Sequence, residues 1–479
     1  MNATLTSAEN VDAAQRTVSL SPQRGEGRGE GCEGRSAPIL QAPLHADCPH
    51  LTLPSPLPSG AEREAPASYV ACSGRYSAVR AGVPLNESVF STVRRRAVLD
   101  DCKWDPQVGD TSTLAAFPLL MRRSEWRQLA AWAERLTAET LAAEMEILGQ
   151  PRWLDELGLP RAVRRVLRED APLTPAAARV MRFDFHPATE GWRLSEVNSD
   201  VPGGYTESSF FTTMIAEHFP SWEPAGDPAA AWTAAVAKAA GGGVVALLAA
   251  PGYMEDQQIM AFLAARLRER GCVAFLAQPA QLIWQDGLAR LETTSGPKSV
   301  GAIVRFYQSE WLARLPARFG WKHFFRGGRT PVLNPGVAII SESKRFPLLW
   351  DKLVTPLPTW RALLPETRDP RQVEWRTDEG WLVKSALSNT GDDVSIRALL
   401  KPQEWRGVRW AVRFQPGNWV AQRRFDSVPV ETPLGLMHVC VGVYTIDGRA
   451  AGAYARLAPR PLIDYAAVDA ALLIEEGHD

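Results

Sequence analysis

Between Arg182 and Asp200 the chain reads RFDFHPATEGWRLSEVNSD, two strand-like runs joined by a turn. They carry two arginines, four acids, a histidine and an asparagine. Strand side chains alternate between faces, so Arg182, Asp184 and His186 share one face while Met181, Phe183 and Phe185 share the other. On the returning run Glu196 and Asn198 again share a face. If the runs pair across the HPATEGW turn, Asp184, Glu196 and Asn198 converge. Two carboxylates held together repel, and one takes up a proton unless a cation intervenes. Two carboxylates and an amide oxygen are hard donors of the kind Mg2+ takes beside waters and nucleotide phosphates. The alternative is a solvated hairpin face with a surface Arg–Asp pair.

Two lysines add to this inventory. Lys384 lies within an otherwise apolar strand, and a lysine seldom goes inside without a partner. The loop after it, SNTGDD from Ser388 to Asp393, has the small polar residues and glycine that let backbone N–H groups approach phosphates. Lys344, in SESKRFPLLWDKL, heads a segment expected to be helical, where the alternative is a solvated helix lysine. Lysines, a covering loop and a metal cluster are what phosphoryl transfer needs.

These residues must be positioned by a scaffold, and 479 residues exceed what one core usually serves, so two or three domains are expected. Residues 1–85, with SPQRGEGRGEGCEGRSAP and LTLPSPLPSGAEREAPAS, lack sustained apolar periodicity. They are read as a disordered low-complexity leader, or as sequence upstream of the true start. Residues 86–175 form a helical N-terminal region. In it Ser124 to Leu148 shows an apolar stripe at 129, 132, 136, 141, 145 and 148, with Ser124 as N-cap and Gly149 as stop.

Residues 176–330 hold the hairpin and a Rossmann-like part. Gly243 to Ala277 reads strand, loop, amphipathic helix, strand, and Val300 to Tyr307 supplies a further parallel strand. No GxGxxG is present. Glu255 and Asp256 fall in the first turn of that helix, where its dipole favours acids; a substrate-amine contact is the other reading. Residues 331–479 turn to strand pairs, with a hairpin across Asp447-Gly448, which makes the whole α+β.

Composition narrows the function. With 53 basic against 54 acidic side chains the net charge is −1, giving no footprint for nucleic acid or an anionic membrane. No apolar run is long enough to span a bilayer, and MNATLTSAEN lacks a secretory pattern. Six scattered cysteines without a CxxC pair argue against a disulfide framework and a zinc site. A cytoplasmic protein is expected, with its oligomeric state open.

RFDF…LSEVNSD, NPGVAIISESKRFPLLWDKL, WLVKSALSNTGDDVSI, WVAQRRF and GRAAGAYARL occur in this order. The set resembles the synthetase domain of the glutathionylspermidine synthase family, in the ATP-grasp superfamily, over residues 86–479. The resemblance implies an ATP-grasp core and a Rossmann-like pre-ATP-grasp subdomain. It also implies a ligase that joins a small-molecule or short-peptide carboxylate to an amine acceptor through an acyl phosphate, using ATP and Mg2+. By the same resemblance Asp184, Glu196 and Asn198 match magnesium ligands, and Arg182 matches the arginine that steadies the transferring phosphoryl group. Lys344 and Lys384 match the lysines that hold ATP, and Thr390 and Gly391 fall in the closing loop. Gln422, Arg423, Arg424 and Phe425 match the segment beside the adenine, and Arg456 a further active-site arginine. Three stretches depart from the family's pattern: Val201 to Gly204 in place of small hydroxyl residues, the acids Asp392 and Asp393 in the loop, and the C-terminal segment after Arg456.

Overall fold

The computed structural model describes residues 78–108, 111–250, 252–387 and 394–476. The expected leader therefore lies almost wholly outside the described residues, but its end at 85 is corrected. Val79–Ala81 is a strand paired antiparallel with Leu119–Met121, because Val79 has an apolar cluster to enter.

The organising element is a mixed-length antiparallel sheet. Its strands run in the spatial order Val468–Ala470, Arg449–Ala458, Gly435–Ile446, Val180–Ala188 and Gly191–Asn198, with Val430–Thr432 paired to Gly435–Ile446. Asp447 and Gly448 both have positive φ, 48° and 81°, the geometry of the two-residue turn the sequence suggests. One face of this sheet is core. Met181, Phe183 and Phe185 are fully buried there, Phe185 stacks on Trp132 at 6.4 Å and Phe183 meets Trp360 edge-on at 6.1 Å. Each such buried side chain contributes about 1.5–3 kcal/mol, which pins the alternation and so pins Arg182 and Asp184 to the opposite face.

The long helix behind that face spans Arg123–Leu148. Ser124 is not its cap: Arg122 holds that position, and Gly149 ends the helix as expected. The buried stripe runs through Leu129, Ala133, Leu136, Thr140, Ala143 and Ile147, while Met145 is exposed. The apolar-only reading missed this phase because Thr137 and Thr140 are buried with their hydroxyls bonded to backbone carbonyls one turn earlier.

Beside it lies a second sheet in which Lys298–Phe306 pairs parallel with Val244–Ala249 and with Val332–Leu333, and Val244–Ala249 pairs parallel with Ala274–Ala277. Helix Met254–Glu269 buries Ile259, Phe262, Leu263 and Leu267 against it, as the periodicity requires. A third sheet, ordered Thr367–Arg368, Trp419–Arg423, Trp381–Ser385, Val394–Ser395, is backed by helix Pro402–Phe414 through Trp375, Trp405 and Val412. The C-terminal strand Leu472–Glu475 returns to pair with Leu119–Met121 and Trp222–Pro224. The architecture is α+β. Among the described residues no helix is long and apolar enough to cross a membrane.

Candidate active site on the polar sheet face

The hairpin pairs Asp184 with Glu196 and Arg182 with Asn198, directly opposite one another. Convergence of the candidate ligands is therefore a matter of register. Its face is not solvated: Arg182 and Asp184 are only 8% and 5% exposed. Arg182 grips Asp184 as a fork, Nε to Oδ1 at 2.8 Å and Nη2 to Oδ2 at 3.0 Å. Asn198 Nδ2 donates to Asp184 Oδ2 at 3.1 Å. Both Asp184 oxygens thus have partners within the protein.

A bulge follows, since Phe185 pairs with Leu194 and Ser195 is left over. The Ser195 hydroxyl bonds the His186 ring at 3.0 Å, and its carbonyl accepts Lys384 Nζ at 3.0 Å. Burial holds the His186 imidazole down at about 4, so it is neutral, a packed hydrogen-bonding residue beside Phe425.

The third sheet aims Lys384 at the hairpin. Leu382 pairs with Gln422 and Lys384 with Val420, so these four share the face turned away from the Trp375–Trp405 core. Lys344 follows the short helix Ile339–Glu342 and is held by its backbone N–H on the Ala386 carbonyl at 2.9 Å. It is no solvated helix lysine: Nζ stands 3.6 Å from both Glu196 and Glu342. Burial alone would raise the Glu196 carboxyl, but Lys344, Lys384 and Arg182 outweigh it and hold the group at about 2. Lys384 is pushed down to about 8, by burial first and by Lys344 next, with Glu196 opposing.

That value sets a pH dependence. The folded pKa lies below the ordinary 10.5, so Lys384's contribution to stability is complete above 10.5 and is lost as pH falls through 8. Anion binding runs the other way. Above pH 8 the free protein loses the ammonium, and the association constant for a nucleotide should fall by about tenfold per pH unit. Calorimetric titrations at successive pH values check this, with Lys384→Arg flattening the profile.

The remaining candidates are divided. Gln422 is buried and donates to Thr367 Oγ1 at 3.0 Å, while Arg423, Arg424 and Phe425 line a cleft of about 360 Å³ bounded by the hairpin turn at Ala188 to Glu190. Arg456 lies on the same sheet face as Asp184, two strands away, with Nη2 on the Asp464 carbonyl at 2.8 Å and Nε 3.9 Å from Asp469. Thr390 and Gly391, with Asp392 and Asp393, lie outside the described residues.

Sequence reasoning missed what holds Arg182. Its Nη1 donates to the Gly203 carbonyl at 3.1 Å, the Tyr444 hydroxyl donates to the same oxygen, and the Tyr454 ring lies 5.9 Å from the guanidinium. Gly442, mid-strand, leaves room for the arginine: a Cβ there would meet Arg182 Cδ at 2.9 Å. A glycine interrupting VCVGVY was the available signal. Gly442→Ala should displace Arg182 and destabilise the protein by about 1–3 kcal/mol, measured by urea denaturation. Glu342 was also missed. One of its oxygens accepts the Ser199 and Asp200 N–H groups at 2.7 and 3.0 Å, tying the hairpin's exit to the Lys344 segment.

Among the described residues no three His, Cys, Asp or Glu side chains gather into a metal site. Two carboxylates and an amide nevertheless fit Mg2+, which keeps waters and takes phosphate oxygens for the rest of its shell. For Asp184 this requires exchanging Arg182 or Asn198.

The paired-carboxylate hairpin thus faces Lys384 from another sheet and Lys344 from the segment after a short helix. Over residues 116–471 the chain matches the family described as glutathionylspermidine synthase pre-ATP-grasp, and it belongs to that family. A glutathione synthetase-like effector from Globodera pallida superposes with a TM-score of 0.52 at 11% identity, covering 81% of this chain and 97% of its own. That likeness is one of fold. A protein described as a gamma-glutamylcysteine synthetase from Methylobacillus flagellatus KT shares 14% identity over 72% of this chain and 85% of its own, with a TM-score of 0.35. Comparison with curated proteins finds no match.

Proposed function

We propose that the protein is an ATP-dependent carbon–nitrogen ligase that joins a carboxylate to an amine. The reading is carried by one observation: Arg182, Asp184, Glu196 and Asn198 stand on adjacent strands with Lys344 and Lys384 directed at them from two other elements. A carboxylate oxygen attacks the terminal phosphorus of ATP, the bond to ADP breaks, and an acyl phosphate forms. The amine nitrogen then attacks the acyl carbon, phosphate leaves, and the nitrogen loses a proton.

The first step brings two anions together. Unit charges 4 Å apart repel by about 4 kcal/mol at an effective dielectric near 20, so cations must stand between them. Lys344 and Lys384 would hold the phosphates and Arg182 the group in transfer. Asp184, Glu196 and Asn198 would hold Mg2+, which supplies further positive charge when bound. Arg423, Arg424 and Phe425 would border the base. The setting is read as cytoplasmic, with no nucleic acid or membrane as partner. The acceptor and the carboxylate need not be those of glutathionylspermidine, because Val201, Pro202, Gly203 and Gly204 run where the family has small hydroxyl residues.

One observation favours a second reading, a nucleotide-binding protein without turnover: both Asp184 oxygens are already taken. A structural or interaction role for the acidic hairpin is the remaining rival. A panel of carboxylates and amines assayed for MgATP-dependent ADP release separates the three. Release that requires both substrates supports the ligase, binding without release supports the second reading, and no nucleotide binding supports the third.

A further inference from the structure

In the third sheet Gln422 is flanked by Thr367 on one neighbouring strand and by Leu382 on the other. It is buried, and a relay of hydrogen bonds decides which way its amide lies. Gln422 Nε2 stands 3.0 Å from Thr367 Oγ1, and Thr367 Oγ1 stands 3.0 Å from the Pro365 carbonyl oxygen. A carbonyl can only accept, so the single hydroxyl proton of Thr367 goes to Pro365. The hydroxyl oxygen is then left to accept, and the Gln422 atom that meets it has to be the NH2 end. The carbonyl end, Oε1, is thereby turned away from Thr367, and among the described residues no group donates to it. This acceptor belongs to the sheet face that carries Lys384. Gln422 pairs with Leu382, which precedes Lys384 by one two-residue repeat of the strand, about 7 Å.

We propose that Thr367 is a positioning residue that sets the base preference of the nucleotide site. By holding the Gln422 amide with Oε1 free, it favours a purine with an amino group at the 6-position over one with an oxygen there. The inference rests on the nucleotide-binding half of the ligase reading. With the phosphates at Lys384, the base falls toward Leu382 and Gln422, and an adenine 6-amino group donates to Oε1. The 6-oxygen of guanine or hypoxanthine instead meets Oε1 as acceptor against acceptor, and burying two such groups without a proton between them is unfavourable. Turning the amide over to suit that oxygen draws the Thr367 proton away from the Pro365 carbonyl, which then loses its donor. The relay therefore resists the one adjustment that relaxes the preference.

The test is calorimetric titration with the non-hydrolysable β,γ-imido analogues of ATP, ITP and GTP in the presence of Mg2+, which needs no turnover. Wild type should bind the adenosine analogue about tenfold or more tighter than either of the others. The inosine and guanosine analogues should bind alike, because they share the 6-oxygen. In Thr367→Val the hydroxyl is gone and the amide is free to present either end, so the preference should fall about tenfold. Thr367→Ser keeps the hydroxyl and should keep the preference. A Thr367 that only supports the fold would weaken all three analogues together and leave their ratios unchanged, and that result overturns the proposal. Wild type that holds the inosine analogue as tightly as the adenosine one overturns it as well. Should the valine variant not fold, Gln422→Met, which lacks the carbonyl oxygen, takes its place: it should bind the adenosine and inosine analogues alike, and a surviving preference overturns the proposal. No binding of any analogue by folded wild type defeats the nucleotide reading and this inference with it, whereas binding without base preference defeats this inference alone.

Discussion

Asp184→Ala is expected to abolish magnesium-dependent nucleotide binding and to destabilise the protein by roughly 3–5 kcal/mol. Two effects combine in one residue. The variant removes a proposed magnesium ligand, and it strips the fork partner from Arg182, whose guanidinium is buried and cannot turn to water. An Arg182→Met/Asp184→Ala double variant removes both charges and should recover much of the stability while leaving nucleotide binding absent. Urea unfolding and calorimetric titration of the two proteins separate the contributions. Equal loss of stability in single and double variants would show that the Arg182–Asp184 pair does not govern the hairpin.

The second large effect is expected at Asp200, just past the ligand set. Its carboxylate accepts from Arg305, which is 1% exposed, and from the hydroxyl and N–H of Ser309 at 2.7 Å each. Asp200→Ala leaves Arg305 charged, buried and short of its partner, at a cost of roughly 3–5 kcal/mol. Asp200 joins the hairpin's exit to the parallel sheet through the Lys298–Phe306 strand. Its loss should therefore loosen hydrogen-exchange protection at Ser199 and Asn334 before the central strands open. Asp200→Ala/Arg305→Met should be milder than the single change. A single variant as stable as wild type would remove the pair from the account.

Much of the site could be read from the chain because strand alternation is local information. A period of two set Arg182 and Asp184 against Met181, Phe183 and Phe185, and spacing on the return strand set Glu196 and Asn198 together. The strand–helix–strand unit at Val244–Ala277 and the turn at Asp447-Gly448 were legible for the same reason. What was not legible depends on contacts distant in sequence. The buried stripe of helix Arg123–Leu148 includes Thr137, Thr140 and Glu144, polar residues that look exposed until Thr445, Trp360 and Arg179 are seen to meet them. Glu342 looked like one more charge beside Lys344, and only the fold brings it to the Ser199 and Asp200 amides. Lys103 had only Asp105 as a local partner, and its other two acids, Glu207 and Asp469, come from distant segments. The motif predicted the arginine, but not the Gly442 that makes room for it.

The central claim is that this sheet face binds a nucleotide with magnesium. Its most direct test is calorimetric titration of a non-hydrolysable ATP analogue into the protein at pH 7, with and without Mg2+. Saturable binding that strengthens with Mg2+ and is absent in Asp184→Ala protein is expected. Binding indifferent to Mg2+ and to Asp184, or no binding by folded wild-type protein, would contradict it.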